Sequence, residues 1–282
     1  MTEPQHPLYD MKERSHRLAI PSDASETPDD IGEEKPRGIP IIFPGIAGRV
    51  PRLTQALLLL NVIIFLPRYV IGDYFEQSFL FGAILPDFVL QNGEVYRLFT
   101  AMFLHFSEMH ILFNGIALFS IGGNVERIFG HTRFLLIYLL GGLAGSVLSL
   151  LLSSSNVIAA GASGAVFAIW GADLMFSWRH RAYFGEQFKA SIQTSLLMLG
   201  LNIGAGFASP AIGIWAHLGG LFGGIILTWW LGPRFALPNP IRLIEGRIHA
   251  IDMQPLKKSL PVLVIYSVGL LLVLGLTFLL RA

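Results

Sequence analysis

Cysteine is absent from the 282 residues, which excludes disulfides, a thiolate metal site and cysteine-linked lipid anchors. Charge is scarce too: 14% of residues are charged against 53% hydrophobic, with a mean hydropathy of +0.59. A soluble domain carries roughly 25% charged residues, so this balance describes a chain whose solvent is largely lipid. The first 50 residues contain no hydrophobic signal run. They hold nine acidic side chains and several prolines, and so resemble neither a secretory signal nor an organelle presequence. A cytosolic, disordered tail over residues 1–50 is the expectation.

What remains is apolar. Seven segments stand out, near residues 53–71, 109–128, 134–152, 161–178, 191–206, 211–231 and 260–280. Several approach the ~20 residues that a helix needs to cross a hydrocarbon core. Helices are expected, because each satisfies its own backbone where water is missing. The fold class is therefore an all-α polytopic membrane protein. The fifth segment is short and interrupted by glycine, which leaves its ends the least defined.

Lysine and arginine set the threading. With the N-terminus inside, all of the 20 basic residues except Arg68, Arg97 and Arg281 fall on the inner side, as the positive-inside rule asks. The second, fourth and sixth segments then run from outside to inside, and their starts share one depth near the outer face. The intramembrane polar residues sit at those starts: His110 and Asn114 in the second, Ser163 in the fourth and His217 in the sixth. Ionisable groups in hydrocarbon are costly and usually functional. Unrelated structural groups would scatter in depth.

Small residues offer a way to bring these groups together, since helices in lipid approach closely where side chains are small. The fourth segment has Gly164, Ala168 and Ala172 at four-residue spacing, beside Gly171. The sixth has Ala216, Gly220 and Gly224, beside Gly219 and Gly223. His217 shares a face with Gly220 and Gly224, and Ser163 directly precedes the fourth segment's stripe. His110 and Asn114 are four apart and project from one face. Asn114 reads either as an interhelical hydrogen-bond partner or as a donor to the space above Ser163.

These residues resemble the rhomboid family of intramembrane serine proteases. The resemblance spans roughly residues 50–231 and rests on His110-x-x-x-Asn114, Gly161-x-Ser163-Gly164 and Ala216-His217-x-x-Gly220-x-x-x-Gly224, in that order on alternate segments. Gly122-Gly123-Asn124-Val125-Glu126-Arg127 also matches the family pattern. The family's Trp-Arg pair in the first outer loop reads Tyr96-Arg97 here. The resemblance implies a tail over 1–50, a six-helix core over 51–231, a basic cytosolic linker over 232–259 and an appended seventh helix over 260–282. The last is expected to be a plain anchor.

The implied activity is that of a serine endopeptidase that cleaves substrate transmembrane helices near their outer ends. Ser163 is the nucleophile and His217 the base of a dyad. The Ser163 amide, His110 and Asn114 form the oxyanion hole, while Gly161, Gly164, Gly220, Gly224, Glu126 and Arg97 serve structure. No carboxylate lies near His217. Asp173 is ten residues past Ser163, about 15 Å deeper at ~1.5 Å per residue, and is expected to pair near the inner face with Arg179. Water is expected to enter past Ser153, Ser154, Ser155 and Asn156, and substrate past the fifth segment, where Gly200, Gly204, Gly206 and Pro210 suggest a gate. His105 is expected to support the first loop.

Transmembrane proteins and the bilayer are the expected partners, in a bacterial inner membrane. No nucleic acid, cofactor or metal is expected; no His-Glu-x-x-His occurs, and paired intramembrane aspartates are missing. Two other readings remain. A small-solute transporter or channel would show internal repeats and midplane polar groups. A non-catalytic membrane-protein binder on the same scaffold would tolerate loss of Ser163 or His217.

Overall fold

The computed structural model describes residues 41–43, 49–208, 213–241 and 243–281. The chain is a helical membrane protein. After a two-residue strand, β1 (Ile41–Ile42), helix α1 (Arg52–Phe65) ends in a 3-10 turn (Leu66–Tyr69). A first loop follows, built from α2 (Tyr74–Gly82), α3 (Pro86–Leu90), α4 (Arg97–Thr100) and a 3-10 turn (Ala101–Phe103). Helix α5 (Glu108–Ala117) continues through a π-turn (Leu118–Gly122) into α6 (Gly123–Phe129). Then come α7 (His131–Leu152), α8 (Ser163–Arg179), α9 (Arg181–Ala208), α10 (Ile214–Leu231) and α11 (Leu260–Arg281). Each of the seven apolar segments is thus helical.

Among the described residues, three helices are fit by length and composition to cross a membrane: α7, α10 and the run Leu256–Arg281. A fourth counts if Arg97–Phe103 and Glu108–Phe129, bent by 91°, form one span. Helices α1 and α8 are shorter, at 14 and 17 residues. Their place is set by packing instead. Helices α7, α8 and α10 form the centre, where Phe134, Ile137, Tyr138, Ala168, Ile169, Leu227 and Leu231 are buried. Large apolar side chains such as Phe113, Phe119, Phe222 and Leu279 face outward on the rim, an arrangement suited to lipid and unfavourable in water.

The end opposite Ser163 is tied by polar contacts. Helix α1 opens after Pro51 without a side-chain cap of its own. The buried Glu126 carboxylate supplies one from a distance: it accepts from Leu53 N (2.9 Å), Thr54 N (2.7 Å) and Thr54 Oγ1 (2.6 Å) and meets His131. An anion at a helix start satisfies free amides and opposes the dipole. Gly130, at φ +84°, ends α6 in a conformation that favours glycine.

Beyond α10 the chain does not run as a plain linker. It forms strands β2 (Phe235–Ala236), β3 (Leu243–Ile244), β4 (Arg247–His249) and β5 (Ile251–Asp252). Strands β3 and β4 make a tight hairpin through Glu245 and Gly246, both with positive φ. Strand β1 adds to β4 in parallel, with Ile41 opposite Ile248. The stretch expected to be a tail therefore contributes a strand at Ile41–Ile42; residues 1–40 and 44–48 lie outside the described residues. Strand β2 pairs with β5, and Asp252 anchors the unit by accepting from Arg133 (2.7 Å), Arg234 N and Gln254 N (both 3.0 Å).

One further expectation is corrected. Arg179 does not pair with Asp173; it donates to the Thr228 and Trp229 carbonyls at the end of α10, the first of which also accepts from Gly232 N. The seventh helix, expected as a plain anchor, packs on α7 and its following loop. Tyr266 donates to Leu140 O, Leu270, Leu274 and Phe278 pack against Val147 and Leu150, and Arg281 reaches Leu150 O and Ser155 Oγ.

Candidate active site

Ser163 opens α8. The loop before it is held from the first outer loop by the paired backbones of Ile84 and Ala159 (2.9 and 3.0 Å). Gly161 then donates to Ala101 O at 2.9 Å and adopts φ +133°. A Cβ at this position would lie 2.7–2.8 Å from the His110 ring and 3.7 Å from Ser163 Oγ. Only glycine fits, both for its φ and for the ring against it. Helix α8 has no side-chain cap, so its first amides point free toward this corner.

His217 lies in the first turn of α10, where its amide donates to Gly213 O. Its ring stacks on Phe167, with centroids 4.3 Å apart and planes at 7°. Phe167 is one turn beyond Ser163 on the same face of α8, so the imidazole is laid against the face that carries the serine. The backbones make this possible. A Cβ on Gly220 would lie 1.9 Å from Gly164 O, and one on Gly224 would lie 1.9 Å from Ala168 O. The two small-residue stripes meet without side chains between them, as small residues allow in lipid. Ser163 Oγ and His217 are not hydrogen-bonded to each other in this structure.

His110 begins the second-segment helix behind a Ser107 cap, which its amide meets at 3.3 Å. Its Nδ1 accepts from Phe106 N at 3.4 Å; this places the ring proton on Nε2, the atom beside Gly161. Asn114 is buried and donates one amide hydrogen back to His110 O (3.0 Å), which leaves the second amide hydrogen free of that bond. Arg97 is buried in the first loop, bonded to Glu94 and Ala83 O and set over the Phe88 and Tyr96 rings. Glu126 stands at the far end, as described above. Among the described residues no three His, Cys, Asp or Glu side chains group to hold a metal ion.

Sequence reasoning missed a third stripe. Gly141, Gly142 and Gly145 of α7 touch Ala168, Met102 and Ala216 O, at distances that no Cβ would allow. Their spacing was visible in the third segment. Phe167 was missed as well, because an aromatic in an apolar helix carries no signal of its own.

Comparisons with known proteins bear on the family of the chain. A family model for the rhomboid domain matches residues 92–234. The chain belongs to the rhomboid family. It is 36% identical over 184 residues to rhomboid protease GluP of Bacillus subtilis (strain 168), covering 64% of this chain and 35% of that protein. It is 36% identical over 149 residues to RHOMBOID-like protein 1 of Arabidopsis thaliana, covering 52% and 37%. It is 35% identical over 173 residues to RHOMBOID-like protein 7 of the same plant, covering 59% and 53%. The chain thus spans from about a third to about half of the length of these relatives. Family and helices together make it an integral membrane protein.

Proposed function

We propose that this rhomboid is an intramembrane serine endopeptidase. Ser163 attacks a peptide carbonyl of a transmembrane substrate, and His217 takes the hydroxyl proton and returns it to the leaving amine. The observation that carries the reading is the backbone contact of α8 with α10 at Gly164 and Gly220, which lays the His217 ring on Phe167 one turn below Ser163. No carboxylate is needed to aim the imidazole when an aromatic face holds its plane. The Ser163–His217 bond forms as substrate arrives, since catalytic hydrogen bonds are often loose in ligand-free enzymes.

The oxyanion would be met by the Ser163 amide, by His110 Nε2–H and by the free Asn114 amide hydrogen. Donors fixed in advance in a site that excludes water are worth far more than in bulk solvent. The acyl-enzyme is then hydrolysed by water. Substrates carry small or helix-breaking residues near the membrane boundary, because a helix hides its carbonyls. The site faces the outer side of a bacterial inner membrane, with the N-terminus cytosolic and α11 ending outside, in keeping with the basic residues at the far end.

Substrate would enter past α9. A Cβ at Gly200 there would meet open space, and a hydrogen bond from Trp170 to Ser195 (3.2 Å) ties α9 to α8. Pro210 lies outside the described residues.

A fluorophosphonate should label the purified protein at Ser163, and Ser163→Ala and His217→Ala should each abolish labelling. A wild-type protein that is folded yet never labelled would favour the non-catalytic binder on the same scaffold.

A further inference from the structure

His105 is the least satisfied buried group in the described residues. It is 3% exposed, and neither ring nitrogen makes a hydrogen bond. The Phe103 carbonyl is close enough to act on the ring electrostatically, yet the pair lacks hydrogen-bond geometry. An imidazole without a partner on either nitrogen is costly, so its surroundings should explain it.

The ring lines a cavity between the end of α1 and helix α2, with Phe65, Arg68, Tyr74, Ser78 and Phe79 among the walls. The space open to the centre of a water molecule is about 10 Å³. That is roughly room for one water by this measure, and too little for a phosphate or carboxylate headgroup. The other polar walls already have one protein partner each. Ser78 Oγ donates to Phe75 O (2.9 Å), Tyr74 Oη to Ile64 O (2.9 Å) and Arg68 to Phe106 O (3.3 Å). The two hydroxyls keep acceptor lone pairs, and Arg68 keeps further N–H donors. A water here would find the two to four partners that buried waters have.

The far side of His105 faces the candidate active site. Its ring meets His110 edge-on, with centroids 5.2 Å apart, and a Cβ built on Gly161 would lie 2.8 Å from His110 Nε2 and 3.7 Å from Ser163 Oγ. We propose that this first-loop cavity is a water-binding site, in which His105 holds one water and positions the supply for deacylation. The inference rests on the protease reading for its role in turnover, though not for the existence of the site. In that step the water oxygen bonds to the acyl carbon, one water proton passes to His217, the bond to Ser163 Oγ breaks, and His217 returns the proton to Oγ. His105 touches none of the reacting atoms and is a positioning residue. The route differs from one past Ser153–Ser155, where Ser153 Oγ is bonded to Ser149 Oγ and Ser155 Oγ accepts from Arg281.

X-ray hydroxyl-radical footprinting of the full chain tests the site, because radicals formed from a bound water oxidise buried neighbours. His105 should be modified despite its burial, and Ser78→Val, which fills the cavity, should protect it. Turnover of a transmembrane substrate by Ser78→Val should fall about tenfold, roughly 1.4 kcal/mol in a barrier, while the rate of Ser163 phosphonylation stays within about twofold. A merely structural loss would slow both reactions together. Ser78→Ala, which keeps the cavity open, should retain most of the turnover and guards against misfolding of the valine variant. Unmodified His105 in the wild type overturns the proposal. So does a modified His105 whose protection in Ser78→Val leaves turnover unchanged. Modified His105 with no labelling of Ser163 sinks the protease reading instead, and removes the role in turnover while the water site stands.

Discussion

The two ends of this bundle use buried polar groups in opposite ways, and histidine makes the contrast plain. At the end away from Ser163, His180 is held on both nitrogens: Nδ1 meets Phe176 O at 2.9 Å and Nε2 accepts from Phe235 N at 3.1 Å. Glu126 and Asp252 each gather several partners there. Thr228 Oγ1 and single Nε atoms of Arg133 and Arg234 are the gaps. At the Ser163 end His105 has no partner, and Ser163 is not bonded to His217. Each buried group left unpaired costs about 1–3 kcal/mol. One end is therefore built to hold and the other to receive, and substitutions should separate stability from chemistry along the same line.

The sharpest break of that comparison is Ser163→Ala. Cleavage of a reconstituted transmembrane substrate should fall by ~10³-fold or more while the melting temperature stays put; wild-type cleavage by this variant removes the site assignment. Asn114→Ala comes next, with a turnover loss equivalent to about 2.7–4 kcal/mol, the usual worth of one oxyanion donor. If Asn114 only braces neighbouring helices, its variant will lose melting temperature and keep its rate per folded molecule.

At the other end the pattern should invert. Glu126→Gln places an amide against Leu53 N–H or Thr54 N–H and should lower unfolding stability by about 2–3 kcal/mol, with turnover per folded molecule unchanged. Chemical denaturation in mild detergent measures this, and an undiminished midpoint would contradict the capping role.

The smallest effect concerns pH. Burial, chiefly, holds the His180 imidazole below its ordinary value. The unfolded chain takes its proton near pH ~6.5 and the folded one only at lower pH, so the unfolded state binds more protons across that interval. Stability is then full above the interval and declines as pH falls through it. His180→Gln can donate to Phe176 O and accept from Phe235 N without titrating, so it should flatten the melting profile between pH ~7.5 and ~5. An unchanged slope would show that another group governs it.

Much of this was legible before any coordinates. The helices followed from apolar length, and the α8–α10 contact followed from residues four apart that are small enough for backbones to touch. The motifs placed Ser163, His110 and His217 at helix starts, and the structure puts His110 and Ser163 around one glycine. What escaped depended on three dimensions. Strands of two or three residues, such as Ile41–Ile42 and Arg247–His249, are too short to show alternation. Arg179 was assigned to Asp173 because carboxylates are visible in a sequence and the carbonyls at a neighbouring helix end are not. The cavity beside His105 exists only because the first loop folds back on the end of α1.

The pairing of Ile41–Ile42 with Arg247–His249 has a mechanical consequence. It clasps the polypeptide ahead of α1 to the polypeptide behind α10, so the helices between them form a closed circuit. Tension applied to the N-terminal segment must first peel a short parallel strand loose, and only then can it draw on α1 and the Glu126 contact beneath it.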